Sequence, residues 1–111
     1  MTVHDKDLLR VRHILDAIDM IDRHLDGVSE ERFVVDELLT NLVAMKIPVI
    51  GEALAALSGD FRTAHPDLPY RDAKDMRNYV IHEYFDVSCH VLWETCANDL
   101  PKLREMLLPL V

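Results

Sequence analysis

The sequence has few of the residues that break helices: its 111 residues include three glycines and five prolines. Aromatic residues make up only 6% of the chain, whereas Leu, Ala, Met, Glu and Asp are plentiful. This composition favours helices over sheets. The length supports one modest hydrophobic core and is too short for two ordinary domains. We therefore predict one all-α domain over residues 1–111.

The sequence also lacks a recognisable export or membrane signal. The first seven residues are polar and mixed in charge, unlike the basic and then apolar regions of a secretory signal. Charged residues interrupt the apolar runs, so we expect none to approach the roughly 20 residues that span a bilayer. The sequence predicts a soluble protein of the cytoplasm with no membrane partner.

Cysteine and metal-binding patterns are sparse. Cys89 and Cys96 would lie about 10 Å apart along one helix face, too far for a disulfide within that helix. We interpret both as reduced thiols in the core. No two of the six histidines have the i, i+4 spacing that presents two imidazoles to one metal ion. The sequence therefore predicts no metal site and no cofactor.

Basic residues are outnumbered by acidic ones, 12 to 20, and the formal net charge is −8 at pH 7. A chain with this charge repels nucleic acid at long range. Binding to nucleic acid through general charge attraction is therefore disfavoured. Any activity on RNA would need a local cluster of basic side chains.

Apolar residues follow a helical period near the N-terminus. Those spaced alternately by three and four are Val11, Ile14, Ile18, Ile21 and Leu25. They predict a helix from about residue 5 to Leu25. A second helical stretch should run from about residue 30 to residue 57, with a kink or break just before Pro48, which has no N–H to donate. Residues 58–70 contain two prolines and no period, and we expect one long loop there.

Helices are also expected in the C-terminal part. One should run from about Arg71 to Phe85 and be followed by a break. Another, with Ser88 as its N-cap, should reach about residue 97. Pro101 then falls near the first turn of a short terminal helix.

The helix expected over residues 71–85 gathers basic and hydrogen-bonding side chains on one face. At 100° per residue they fall within an arc of roughly 140°. They are Arg71, Lys74, Arg77, Asn78 and His82. A local anion or phosphodiester site requires such a face. Arg77 and His82 converge only if the arginine bends across or a second subunit contributes, and an ordinary solvated helix face is the alternative interpretation.

The segment Arg77-Asn78-Tyr79-Val80-Ile81-His82-Glu83-Tyr84 resembles the R-N-x-x-x-H-x-Y signature of HepT-like toxins, which belong to the HEPN superfamily. Two other segments are also similar to this family. They are Ile50-Gly51-Glu52-Ala53, and Leu92-Trp93-Glu94-Thr95 with the following Asp99-Leu100-Pro101-Lys102-Leu103. The resemblance covers nearly the whole chain. Pro48 departs from it, because the family usually continues a helix there, and Lys46 stands near a position often held by Arg.

The resemblance implies an up-and-down bundle of four to six helices that forms a homodimer, with the two signature helices facing each other across a shared cleft. It also implies a metal-independent RNA endonuclease. Arg77 would stabilise charge on the phosphorus, and His82 would act as general acid or base. Asn78 would support them by hydrogen bonding to His82 or to the phosphate. Arg71 and Lys74 are the candidates for RNA binding.

The resemblance further implies a toxin paired with a nucleotidyltransferase antitoxin of the MNT type. Such antitoxins transfer AMP to the family tyrosine, which corresponds to Tyr84 here. The attached nucleotide would fill the cleft and place negative charge beside Arg77, repelling an RNA backbone. A second interpretation, favoured by the net charge, is a non-catalytic helical partner or regulatory subunit of a nucleotidyltransferase.

Overall fold

The computed structural model describes all residues, 1–111, and contains helices without strands, which confirms the all-α prediction. The helices are α1 (Val3–Leu25), α2 (Glu30–Phe33), α3 (Glu37–Ala55), α4 (Gly59–Ala64), α5 (Tyr70–His82), α6 (Cys89–Glu94) and α7 (Leu100–Leu107). A π-helical segment, Thr95–Asp99, joins α6 directly to α7, and a 3-10 turn, Leu108–Leu110, follows. With α6, the π-helical segment and α7 counted as one continuous helix, the chain has six helices, within the four to six expected.

The first helix begins and ends close to where the sequence predicts. The hydroxyl of Thr2 accepts a hydrogen bond from the Asp5 amide at 3.0 Å, and the Asp5 carboxylate accepts one from the Thr2 amide at 3.2 Å. This reciprocal capping satisfies two amides at the start of α1. After α1, Gly27 adopts a φ of 72°, which glycine tolerates without strain.

The second helical stretch is divided, but not at the proline. α3 begins after Asp36, whose side chain accepts a hydrogen bond from a backbone amide in the first turn. The helix then continues through Pro48, so the expected break before that residue is wrong. Two consecutive β-branched residues, Val34 and Val35, disfavour helix just where Asp36 can cap a new one. Together they place the break well before the proline.

The prediction about apolar runs also fails for α3. Its length and its mean hydropathy of 1.5 over 18 residues would suit a membrane-crossing helix. Length and composition alone are weak grounds for a membrane span, because the core helix of a soluble protein meets the same criterion. In this fold α3 is the central helix and packs against both α1 and α5.

Residues 58–70 do not form one loop, because they contain α4. The Ser58 hydroxyl accepts a hydrogen bond from the Phe61 amide at 3.1 Å, and the Phe61 ring is buried. The guanidinium of Arg62 donates to carbonyls at the C-terminal end of α3 and lies 4.7 Å from the centre of the Tyr70 ring. The loop prediction is therefore wrong here, since a helix this short shows no apolar period.

The signature helix is shorter than predicted: α5 ends at His82, not at Phe85. The hydroxyl of Tyr79 accepts a hydrogen bond from the Ser88 amide at 2.9 Å and so holds the connection to α6. Ser88 caps α6, as predicted. Tyr84 and Phe85 consequently lie in the turn after α5, outside the helix.

No break separates the last two helices, although one was expected near residue 98. Pro101 lies in the first turn of α7, as predicted, but it cannot donate a hydrogen bond to the turn before it. The helix continues without a break as the wider π-helical segment, in which the Leu100 amide donates to the Thr95 carbonyl five residues back. The Thr95 hydroxyl donates to the Val91 carbonyl at 2.8 Å.

The core is one cluster of 21 buried apolar residues, contributed by all seven helices, the π-helical segment and the connections before and after α4. Cys96 belongs to it and Cys89 packs against it, both as free thiols, as predicted. Burial raises the pKa of the Cys96 thiol to about 12, so this thiol is unreactive at neutral pH. The Phe33 and Trp93 rings, with centroids 5.4 Å apart, attach α2 to α6.

Candidate functional site

The basic face predicted for α5 is present, and its members differ in exposure. Its exposed members are Arg71, Lys74 and His82, and its half-buried members are Arg77 and Asn78. Asp72 and Asp75 line a groove that α5 forms with α3 and α7. The signature helix therefore carries two surfaces of opposite charge.

Two neighbours fix the Arg77 side chain. Its Nη1 donates to Oε1 of Glu52 on α3 at 3.0 Å. Its Nε and Nη2 donate to Oδ1 of Asn78 at 3.3 Å and 3.1 Å. The guanidinium is thus oriented by the protein before any ligand is bound.

Gly51 allows α3 and α5 to approach closely enough for these contacts. A Cβ atom at this position would lie 2.8 Å from Cβ of Arg77 and 3.0 Å from the Ala73 carbonyl oxygen. Contacts this short force the neighbouring backbone or side chain to move, so glycine is required here. Sequence reasoning assigned no role to Gly51 or Glu52. The sequence signal that could have revealed them is their place in the segment Ile50-Gly51-Glu52-Ala53, which resembles the family.

His82 is the last residue of α5, and its side chain is exposed and makes no hydrogen bond. The Asn78 side-chain oxygen, which was expected to serve His82 or a phosphate, accepts hydrogen bonds from Arg77 in this structure. No hydrogen bond joins Arg77 to His82 within the chain. The structure therefore places the two predicted catalytic residues on one helix but does not bring them together.

Tyr84 lies in the turn between α5 and α6, with 47% of its surface exposed. Its ring meets the Phe85 ring edge-on, with centroids 5.5 Å apart. The phenolic hydroxyl makes no hydrogen bond with the rest of the chain. It is therefore accessible to a second protein.

One side-chain cluster could hold a metal ion, and it lies away from the basic face. Ligand atoms of Glu30, His90 and Glu94 are within 4.8 Å of one another. Nδ1 of His90 lies 2.9 Å from Oε2 of Glu30, and this hydrogen bond and the glutamate charge raise the pKa of His90. Histidine spacing did not reveal the cluster, because Glu30 comes from α2 and the other two residues from α6.

Comparison with known proteins supplies the family. The chain matches the family described as Ribonuclease HepT-like over residues 14–110. A relative from Caldanaerobacter subterraneus subsp. tengcongensis, named as a candidate RNase, is 35% identical over 95 residues, which cover 86% of this chain and 85% of the relative.

Two further relatives have similar names. "Probable ribonuclease HepT" of Thermococcus cleftensis is 35% identical over 91 residues, which cover 82% of this chain and 83% of the relative. A protein of Methanocaldococcus jannaschii, named gamma-glutamylcyclotransferase and candidate RNase, is 32% identical over 101 residues, covering 91% of this chain and 46% of the relative. No solved structure matches the chain.

Proposed function

Because this chain belongs to the HepT-like ribonuclease family, we propose that it is a metal-independent RNA endonuclease of the cytoplasm and the toxin of a toxin-antitoxin pair. The observation that carries the proposal is the Arg77 guanidinium, which Glu52 and Asn78 orient on the helix that ends in an exposed His82. In phosphodiester cleavage an oriented cation can stabilise charge on the phosphoryl oxygens, and an exposed imidazole can transfer a proton.

The proposed reaction is a transesterification within RNA. The ribose 2′-oxygen attacks the adjacent phosphorus, the bond from phosphorus to the 5′-oxygen breaks, and a cyclic phosphate and a 5′-hydroxyl result. His82 accepts the proton of the 2′-hydroxyl or donates one to the leaving 5′-oxygen, and water carries out the other proton transfer. Arg77 stabilises the charge that develops on the phosphoryl oxygens. Arg71 and Lys74, exposed on the same helix, bind flanking phosphates.

A homodimer would complete the site, because one chain does not bring Arg77 and His82 together. An exposed apolar stripe on α3 supports this part of the proposal. It consists of Leu38, Met45 and Val49, whose exposed fractions are 83%, 63% and 44%. The stripe continues, three residues after Val49, to the Glu52 that binds Arg77.

The end of the signature helix is apolar and exposed as well. Ile81 is 51% exposed and Phe85 is 96% exposed. Apolar surface of this kind is typical of protein interfaces, and a two-fold axis beside α5 would face the two signature helices toward each other. His82 of one protomer would then reach the cleft containing Arg77 of its partner.

Neutralisation is proposed to occur by AMP transfer to Tyr84 from a cognate MNT-type nucleotidyltransferase. The tyrosine oxygen attacks the α-phosphorus of ATP, pyrophosphate leaves, and the phenolic proton passes to a base of the transferase. The exposure of Tyr84 supports this step. The attached phosphate adds negative charge next to the signature helix and repels RNA.

The ribonuclease proposal is tested with purified chain, freed of any partner, incubated with tRNA and total RNA in EDTA. Arg77→Ala and His82→Ala are compared with Arg12→Ala and His13→Ala, which change the same residue types on the exposed surface of α1. We expect cleavage by the unmodified chain and both control variants. Each site variant should lose about 10²-fold to 10⁴-fold in rate, with helicity unchanged.

The alternative function is a non-catalytic partner of a nucleotidyltransferase. The net charge of −8 and the pairing of Arg77 with Glu52 favour it, because both weaken attraction of RNA. Absence of cleavage by folded, unmodified dimer would support this alternative against the ribonuclease. Intact mass after incubation with the transferase and ATP tests the modification separately. An AMP increment that persists in Tyr84→Phe would disprove the assignment of Tyr84.

A further inference from the structure

A groove of about 720 Å³ lies between α3, α5 and the π-helical segment with α7. Its floor is apolar and is formed by residues such as Ile47, Ile50, Met76 and Leu103. This volume lies within the range of clefts that bind ligands and peptide segments. Neither the proposed cleavage of RNA nor the modification of Tyr84 uses this surface.

The rim of the groove is strongly acidic. Asp67, Asp72, Asp75 and Asp99 line it, and all four are exposed. Lys102 is the one basic residue in the lining. An apolar floor under a rim of carboxylates is complementary to a helix that has apolar residues on one face and basic residues beside them.

We propose that this groove binds a basic amphipathic helix of a partner protein. RNA does not suit the groove, because the rim carboxylates repel its phosphates. A second copy of this chain is placed elsewhere in the proposed dimer, against the exposed stripe of α3 and the end of α5. The partner is therefore defined by its chemistry: leucine-like side chains for the floor and Lys or Arg for the rim.

The dimensions of α5 set the size of the bound segment. The α5 residues that line the groove run from Asp72 to Tyr79, a length of roughly 10–11 Å at the usual helical rise. A partner helix of about 14 residues, nearly four turns, would cover this length with about a turn to spare at each end. Such a helix can present three or four apolar side chains to the floor on one stripe.

Tyr79 connects the groove with the turn that contains Tyr84. It lines the groove, and its hydroxyl accepts the hydrogen bond from the Ser88 amide at 2.9 Å. A helix in the groove contacts the residue that holds the end of the turn over residues 83–88. Tyr79 therefore lies between the groove and the turn that contains Tyr84.

The test uses the full chain and a fluorescent peptide of about 14 residues with Leu on one helical face and Lys on the other. A second peptide has Glu in place of every Lys. Anisotropy is measured with the unmodified chain, with the double variant Asp75→Asn and Asp99→Asn, and with the matched double variant Asp16→Asn and Glu31→Gln. Asp16 and Glu31 are exposed and do not line the groove, and both double variants change the net charge equally.

The Lys peptide should bind with a Kd of about 1–100 μM and the Glu peptide should not bind. The groove variant should weaken binding about tenfold, and the control less than twofold. Equal weakening by both variants would reduce the effect to general charge attraction and overturn the proposal. Absence of binding at about 1 mM, displacement of the peptide by RNA, or conversion of dimer to monomer by the peptide would also overturn it.

Discussion

Nη1 of Arg77 and Oε1 of Glu52 lie 3.0 Å apart and join α5 to α3. Because Glu52 is 63% exposed, the ion pair stabilises the fold by only about 0–1 kcal/mol. Its larger effect is on the charge of the proposed cleft. The carboxylate orients the guanidinium and also cancels part of the attraction that this cation exerts on a phosphate.

Removing the Glu52 charge should therefore strengthen RNA binding. For Glu52→Gln we expect about threefold tighter binding of a short RNA, because Arg77 then interacts with phosphate alone. Binding is measured with His82→Ala in the background, so that no cleavage occurs. Glu31→Gln, at an exposed position of α2, makes the same charge change and should leave the affinity within about 1.5-fold. Weaker RNA binding by Glu52→Gln would show that orientation of Arg77 matters more than its free charge.

Substitution of Gly51 should separate α3 from α5. The Cβ of Gly51→Ala would meet Cβ of Arg77 at 2.8 Å, so overpacking should cost about 1–3 kcal/mol of unfolding free energy. Urea unfolding measures this loss. Gly59→Ala is the control, because a Cβ there meets nothing within 4 Å. A Gly51→Ala protein as stable as the control would contradict the close approach of the two helices.

Asp7 is a buried carboxylate in α1, and it should contribute substantially to stability. Its two oxygens accept hydrogen bonds from the Ser58 amide at 2.9 Å and the Ser58 hydroxyl at 2.6 Å. Asp7→Ala leaves the amide without this partner and should cost about 1–3 kcal/mol. Asp16→Ala, an exposed change on the same helix, should cost less than about 0.5 kcal/mol.

The loss caused by Asp7→Ala should also depend on pH. Burial alone would raise the pKa of Asp7, but the hydrogen bonds from Ser58 outweigh it and lower the pKa below its ordinary 3.8. The stabilisation is therefore complete above the unfolded value and is lost as pH falls through the folded value. Thermal unfolding should show a Tm difference that is large at neutral pH and shrinks in acid. A constant difference would contradict the bond to Ser58.

His90 should have the opposite pH dependence. The hydrogen bond that His90 donates to Glu30 and the charge of this glutamate raise the pKa of His90 above 6.5. Its stabilising effect is complete below the unfolded value and is lost as pH rises through the folded value. His90→Gln should lower Tm more at about pH 5.5 than at about pH 8. His13→Gln, an exposed change on α1, should show no such difference, and equal effects of both variants would contradict the Glu30 contact.

The sequence predicted those features of the fold that depend only on residues close together in the chain, such as helix starts and apolar periods. Ser88 lies at the start of α6, and the apolar period between Val11 and Leu25 marks a helix with a buried face. These features are set by groups within a few residues of one another. They require no knowledge of the tertiary packing.

The errors arose where the outcome depends on distant residues or on very short elements. α3 accommodates Pro48 within a packed helix, and α4 is too short to show a period. The basic face of α5 could be read from spacing alone. The bond between Arg77 and Glu52 could not, because it depends on how closely α3 approaches α5 at Gly51.

The signature helix has an unusually small anchor in the core. α5 has one buried residue, Val80, whereas α1 has seven and α3 has six, and no side chain caps its first turn. Few fully buried side chains and an uncapped first turn lower the free energy for opening the ends of α5, whereas its middle packs closely on α3 at Gly51. Backbone amides at the ends of α5 should therefore exchange with deuterium well before those of α1. The surface proposed to cleave RNA would then open locally while α1 stays folded. Binding of RNA, a partner or a second copy would slow the exchange of the α5 amides.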